Sequence, residues 1–437
     1  MHPESVSSEQ LPARVRGAIA KQRIVDMHTH LYPPAFGTPV DNATSKTDPA
    51  GLMLWGIDEL VTYHYLIAEV FRVVPASRFP YEQFWKMTRE QQADHIWEHL
   101  FVRRTPLSEA CRGVVTTLTK LGLDPGVKQL VPLRKFFRSQ DPNQYIDRVM
   151  ELSGVENITM TNAVFDDNER QRWLSDRDLS DSRFRAVLRI DPMVIEWPGA
   201  MLKLREWGYE VRNLLDERTI AEGRRFLNDW VKRMRAIYMA VSLPPEFRYP
   251  AEDDLVSEAG QVVLEKIVLP VCAEKNIPFA MMIGSRRQVN PQLRDAGDMG
   301  GLADVASVVN LCCEFPHNRF FVTMLARENQ HELAVAARKF GNLMVFGCWW
   351  FINNPLLIDE VTRMRTELLG TSFIPQHSDA RILDQLIYKW DHSRRLIANV
   401  LIEKYQDLLA SGWPLTEEEV QRDVHRFLKE NFLEFLA

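Results

Sequence analysis

An α/β fold, specifically a (β/α)8 barrel of the TIM type, is what the 437-residue sequence predicts, on three observations. From residue 150 onward, short β-rich runs alternate with longer amphipathic stretches, the signature of strand-helix units repeated around a parallel sheet. With the one run upstream of residue 150 the strands number eight, which closes a barrel of this kind. A composition that is 46% hydrophobic and only 26% charged supplies the large core such a barrel needs and lies far from that of disordered chains.

The elements follow in order. Residues 23–30 (RIVDMHTH) form the first run, and residues 158–162, 184–191, 237–243, 278–284, 320–325, 343–350 and 372–379 form the other seven. Helical patterns fill most intervals, at 219–235, 258–275, 328–340 and 356–369. The interval from about residue 45 to 155 is too long for one crossover helix and carries apolar repeats at 57–72, 81–103 and 108–121. It predicts a mostly helical insertion after strand one, within a single barrel domain covering 1–437. Segments 382–404 and 417–435 predict terminal helices. Two long polar loops, 166–182 after strand two and 285–301 after strand five, fall on the face where barrel active sites lie. They are candidates to cover a substrate, and equally readable as ordinary surface loops.

Charge and cysteine content narrow the class. With 53 basic against 59 acidic side chains the net charge is -6, which disfavours a nucleic-acid binder that must displace counterions. Five cysteines, odd in number and never spaced as C-x-x-C, imply neither a disulfide framework nor a zinc ribbon and fit a reducing compartment. The N-terminus lacks a signal pattern, and no segment approaches the roughly 18 apolar residues of a membrane span. The expectation is a soluble cytoplasmic protein with no membrane or nucleic-acid partner. Association into a homo-oligomer is the default for a large barrel.

Candidate chemistry begins at Asp26-Met27-His28-Thr29-His30. Two histidines one residue apart on a strand project from the same face, which suits one metal ion, although two hydrogen-bonded histidines in a barrel mouth would look the same. A divalent ion needs a further ligand, and Asp379 ends the eighth run, a neighbour of the first in a closed barrel. His317 and His331 are poorly placed and read as structural. His377 shares parity with Asp379 and is readable as a partner behind the ligands, as an acid-base group, or as a polar barrel residue. The acidic run Asp166-Asp167-Asn168-Glu169-Arg170 reads as a solvated loop with a helix N-cap, and Asn329-Gln330-His331 as capping and packing residues.

His-x-His on strand one with Asp on strand eight resembles the skeleton of the amidohydrolase superfamily. Members with two metals carry a bridging lysine or acid on strand four and histidines on strands five and six, and the runs IYMAVSL, PFAMMIG and FFVTML contain none. One metal held by His28, His30 and Asp379 is therefore expected, zinc from the nature of its ligands. The resemblance narrows at Tyr63-His64-Tyr65, at Gly347-Cys348-Trp349-Trp350-Phe351 and at Ser378-Asp379-Ala380-Arg381. Together with the helical insertion, these are similar to the uronate (glucuronate) isomerase family over nearly the whole chain. Departures are modest: Ser378 and Ala380 stand where many members have threonine and serine, and Leu66 where a lysine often follows the His-Tyr pair.

The resemblance implies an aldose-ketose isomerase acting on hexuronates, D-glucuronate to D-fructuronate and D-galacturonate to D-tagaturonate, by proton transfer through an enediolate. Asp379 is then the base, directly or through water, and Arg381 neutralises the developing oxygen. Tyr65 hydrogen-bonds a sugar hydroxyl as the third catalytic candidate, His64 lies near the C6 carboxylate, and Tyr63 belongs to the core. Alternation in strand three puts Arg185, Val187, Arg189 and Asp191 on one face, which leaves Arg189 to meet the uronate carboxylate or to pair with Asp191. Trp349 and Trp350 should face opposite ways on strand seven, with parity favouring Trp349 inward. The alternative is a metal-dependent amidohydrolase acting on an acidic substrate. The missing strand-five and strand-six histidines and the cation pair Arg189 and Arg381 speak against it.

Overall fold

The computed structural model describes residues 6–37, 51–175, 178–251 and 255–437. The start of the predicted insertion, near residue 45, and part of the 166–182 loop lie outside these residues. Seven parallel strands form one sheet in sequential order: β1 (Ile24–Thr29), β2 (Val155–Ala163), β3 (Phe184–Arg189), β4 (Met239–Leu243), β5 (Phe279–Ile283), β6 (Phe320–Met324) and β7 (Leu343–Val345). Nearly all of them are buried on both faces, as parallel strands under helices must be.

Two clusters account for the packing. Ala186, Leu188, Val241, Met281 and Val322 face the surrounding helices, whereas Val25, Met27, Val187, Ala240, Ala280 and Phe321 fill the barrel interior. The interior continues into Phe432 of the last helix, Asn431–Leu436, so the end opposite the strand C-termini is plugged. The Asn431 amide fastens that plug by donating to the carbonyls of Thr371 and Phe373, both at 2.7 Å.

Between β1 and β2 the described chain is helical, including His64–Val73, Glu109–Lys120 and Pro142–Ser153. Ser108 and Asp141 cap the last two by accepting from the N–H groups of Cys111 and Gln144. The 26-residue helix Gln385–Ala410 packs against the last two, and the pair Lys389–Glu109, at 2.8 Å, ties it to the insertion.

The predicted strands seven and eight come out differently. The run 343–350 is a strand only to Val345; Trp350–Ile352 is a turn of 3-10 helix. The run 372–379 contributes one bridge, Ile374 to Phe346. Closure nevertheless occurs. Gly347 and Ile374 exchange bonds with Ile374 and Val345, and on the other side Asp379 N–H donates to the His28 carbonyl while His30 N–H donates to Ala380. Glycine at 347 and prolines nearby deny both runs a regular ladder. Strand three also ends earlier than its pattern suggested, at Arg189, because Asp191-Pro192 opens a short helix.

Candidate active site

The strand C-termini surround a narrow cavity lined by His28, His30, Tyr63, His64, Arg189, Ser242, Met282, Arg287, Trp349, Trp350, Asp379 and Arg381. A neighbouring pocket of about 260 Å³, against the helical insertion, shares Tyr63, His64 and Arg381 with it.

A local irregularity aims the two histidines. Val25 and Met27 point into the barrel, and Asp26 points out to the Trp390 indole at 2.8 Å. Strict alternation would send His28 outward with Asp26. The β1–β2 register shifts between Asp26 and Thr29, and the His28 ring instead lies 6.5 Å from Phe346 of the interior cluster. Bulges of this kind re-aim a side chain at the cost of ladder regularity.

His28 and His30 converge on one atom. Asp379 Oδ1 is 3.4 Å from Nε2 of each ring, too long for the charge-assisted hydrogen bonds such partners make at about 2.7–2.9 Å. His28 Nε2 and Asp379 Oδ1 have no hydrogen-bond partner although both are buried, and buried polar atoms are rarely left so. Two ligands bonded to a zinc-sized ion at about 2.0–2.1 Å in tetrahedral array would stand roughly 3.3 Å apart. The spacing and the donor set therefore fit a metal ion, and among the described residues this is the one group of three potential ligands within 4.8 Å of one another.

The surroundings fix the states of His30 and Asp379. The Thr161 hydroxyl donates to the Thr29 carbonyl at 3.0 Å and so accepts from His30 Nδ1 at 3.1 Å, leaving the His30 Nε2 lone pair facing Asp379. Burial, aided by the Arg381 charge, lowers the His30 pKa to about 3 against the pull of Asp379, so this ring is neutral. Burial pushes the Asp379 carboxyl up, but the two imidazoles outweigh it and hold the group well below the ordinary carboxylate range. Its backbone is left-handed, with φ 54°, a conformation that costs a non-glycine residue about 1–3 kcal/mol and collects at functional sites.

His377 sits behind the ligands, its ring 5.2 Å from that of His28 and neutral because burial lowers its pKa to about 3. A Cβ on Gly347 would lie 1.8 Å from His377 Nδ1, and Gly347 has φ 58°, so only glycine lets this ring approach. The Gly347 carbonyl accepts from the fully buried Arg365 at 2.7 Å, and Arg365 donates also to Gln330. His317 and His331 are exposed and apart from the site. Asp166 caps the helix Asp167–Leu174, and Asn329 packs by bonding both backbone groups of Ala303.

Three arginines reach the cavity and differ in their partners. Arg189 forks onto Asp191, at 2.7 and 2.9 Å, and donates to Ser242 at 2.9 Å, so it both pairs with Asp191 and faces the cavity. Arg287 pairs with Asp298 at 2.7 Å and lies 5.4 Å over the Trp350 ring. The Arg381 guanidinium has no acid partner among the described residues, although its charge is felt by His30 and His64.

Several placements differ from expectation. Tyr63, read as core, lines the cavity. Tyr65 does not; its ring packs on His64 and Phe351, with the Lys389 ammonium 5.8 Å from its centre. Strand parity does not sort the tryptophans, because the strand has ended before them, and both line the cavity. Trp350, with φ 48°, donates its indole N–H to His64 Nε2 at 3.1 Å. His64 thus carries its proton on Nδ1, and burial with the Arg381 charge keeps it neutral. Ser242, Met282 and Arg287 had no motif to announce them. The inward parity of strand five, carried one step from Ala280, would have found Met282.

No protein-family model and no curated protein matches the chain. Solved structures do. A uronate isomerase from Bacillus halodurans C-125 is 51% identical, superposes with a TM-score of 0.91, and the match covers 99% of this chain and 97% of that one. A uronate isomerase from Thermotoga maritima and a glucuronate isomerase from Caulobacter crescentus share 15% identity and the fold, each with a TM-score of 0.72 and coverage of 98% and 99% of this chain and 97% and 95% of theirs. Half the residues in common with the first of these, over essentially the full length of both, assigns the chain: it belongs to the uronate isomerase family.

Proposed function

We propose that this chain interconverts aldo- and keto-hexuronates, D-glucuronate with D-fructuronate and D-galacturonate with D-tagaturonate, in the cytoplasm and with zinc as its single ion. The reading rests on family membership, and one observation carries its chemistry: Asp379, held ionised beside the imidazoles of His28 and His30, shares a small cavity with an arginine that no acid among the described residues pairs with. Moving the carbonyl from C1 to C2 requires a base for the C2 proton and a cation for the enediolate oxygen.

Asp379 is the base, and Arg381 is the cation opposite it. Arg189, already oriented by Asp191 and Ser242, receives the C6 carboxylate. His64 completes the polar wall, its Nδ1 proton available to a substrate oxygen, Tyr65 packs behind it, and the two tryptophans exclude water. An ion held by His28, His30 and Asp379 would supply orientation and polarisation of a substrate oxygen.

Incubating the protein with each hexuronate and following products by NMR, with and without added zinc, tests this reading. Ketose should form from at least one. No product from either, with folded protein and bound metal, would favour hydrolysis of an acidic substrate instead.

A further inference from the structure

Where the eighth strand is missing, side chains do the work of a ladder. Buried peptide groups need partners, and the two peptide planes that lead into Asp379 are each held at both ends. Their N–H ends are taken by the Asp26 carboxylate, from Ser378 at 3.2 Å, and by the His28 carbonyl, from Asp379 at 3.1 Å. Both carbonyl ends are taken by one side chain: Asn353 Nδ2 donates to His377 O at 3.3 Å and to Ser378 O at 3.1 Å.

Asn353 is itself fixed. Its Oδ1 accepts from Gln376 Nε2 at 2.9 Å, and Gln376 Oε1 accepts from Cys348 N–H at 2.7 Å. The Asn353 carbonyl accepts from Lys389 at 3.1 Å, whose other partner is Glu109. Asn353, Gln376 and Lys389 are all buried, so water does not substitute for a lost bond. No part of Asn353 lines the cavity.

We propose that Asn353 is a positioning residue for the isomerisation: by gripping the carbonyls of His377 and Ser378 it fixes the left-handed backbone at Asp379, and with it the direction in which the carboxylate meets His28 and His30. The φ of Asp379 is the rotation that begins at the second of those peptide planes. Freed at its carbonyl end, that plane can turn and let Asp379 relax to an ordinary conformation, carrying Oδ1 away from the imidazoles. The inference rests on Asp379 being a metal ligand and the base.

The experiment measures zinc affinity by competition with a chromophoric chelator, together with kcat and KM on D-glucuronate, below the melting temperature. Asn353→Ala should weaken zinc binding by about 10–100-fold, as loss of a group supporting a ligand does, and lower kcat similarly with KM changed less than about threefold. Asn318→Ala is the control. Asn318 is also buried and donates to a backbone carbonyl, Leu269 at 2.8 Å, but far from the site, so its loss should lower Tm and leave both readouts alone. If Asn353→Ala does not fold, Asn353→Ser, which keeps one donor, should show a smaller change in the same direction. Zinc affinity and kcat within about threefold of the unaltered protein in the folded variant would overturn the proposal. Asp379→Asn separates the two levels: if it is inactive while Asn353→Ala is normal, the positioning role alone falls, and if it binds zinc and turns over normally, the reading beneath it falls as well.

Discussion

The barrel is built in two ways around its circumference. From β2 to β3 six consecutive residues pair without a break, from β3 to β4 two, and from β4 through β5 to β6 five at a time, all in constant register. From β6 to β7 there are three pairs, then on round to β1 one bridge and isolated backbone bonds, and the register of β1 itself shifts twice. The regular side puts alternate residues into core and helix layer, which makes it stable and leaves no freedom to aim a side chain. The irregular side gives up that regularity, and it carries His28, His30, Trp349, Trp350, Asp379 and Arg381. Among the described residues six non-glycine positions have positive φ: Arg235 and Asn276 end helices, Gln288 and Arg294 lie in the 285–301 loop after β5, and Trp350 and Asp379 lie on the irregular side. The two of them that line the cavity, Trp350 and Asp379, both lie where the ladder is absent.

If that division holds, substitutions on the irregular side should cost turnover out of proportion to stability. The largest effect is expected for Asp379→Asn, which removes a base and a ligand charge but no volume. Turnover should fall by about 10³-fold or more while Tm stays within a few degrees. Unchanged kcat in that variant would end the assignment of Asp379 as the base.

Arg189→Met should come next, with kcat/KM lower by about 10–100-fold, carried chiefly by KM, since a hydrogen bond to a charged group is worth about 1.5–3 kcal/mol. A fall in kcat at unchanged KM would instead place Arg189 among the groups acting on the reacting carbons. Gly347→Ala sharpens the comparison from a residue that touches no substrate. Its Cβ would meet the His377 ring at 1.8 Å, and its φ of 58° disfavours any side chain. We expect about 3 kcal/mol of lost stability from the combined overpacking and strain, and a roughly tenfold lower kcat as His377 shifts against His28. Thermal melting and steady-state kinetics on the same preparation would read both, and full activity would show that His377 does not support the ligands.

The same division explains what was legible in the sequence. Strands two to six show as β-rich runs at helix-separated intervals because a ladder demands periodicity, and their boundaries fall within a few residues of the observed ones. The three potential ligands show because His-x-His stands at the end of the first run and Asp at the end of the last, whereas the register shift that turns His28 inward does not show. Strand eight does not show as it is, since 372–379 has a strand's composition but is held by Asn353, Gln376 and Asp26, whose partners are distant in the chain. Arg287 was hidden for a related reason: it enters the cavity from the 285–301 loop, and only its pairing with Asp298 and its contact with Trp350 place it there. Tyr63 and Tyr65 are one helical turn's start, where the side that faces the cavity depends on how the helix His64–Val73 docks, which local pattern does not contain.

The smallest effect on turnover belongs to the regular side, and it is the prediction that can break the comparison. Met281 lies in the middle of β5, fully buried against the helix layer, with Val241 and Val322 as its neighbours in the ladder. Met281→Ala should cost about 2–5 kcal/mol, as truncation of a buried side chain leaves a cavity that close-packed surroundings fill only in part. Its ladder bonds are backbone bonds and survive, so the strand end that bears Met282 at the cavity keeps its place. Below the lowered melting temperature, kcat and KM should therefore remain within about twofold of the unaltered protein, because distant sites with no shared partner act independently. A variant that melted early and also lost turnover at low temperature would mean that the ladder transmits small packing changes to the cavity, and that regular and irregular sides form one functional unit.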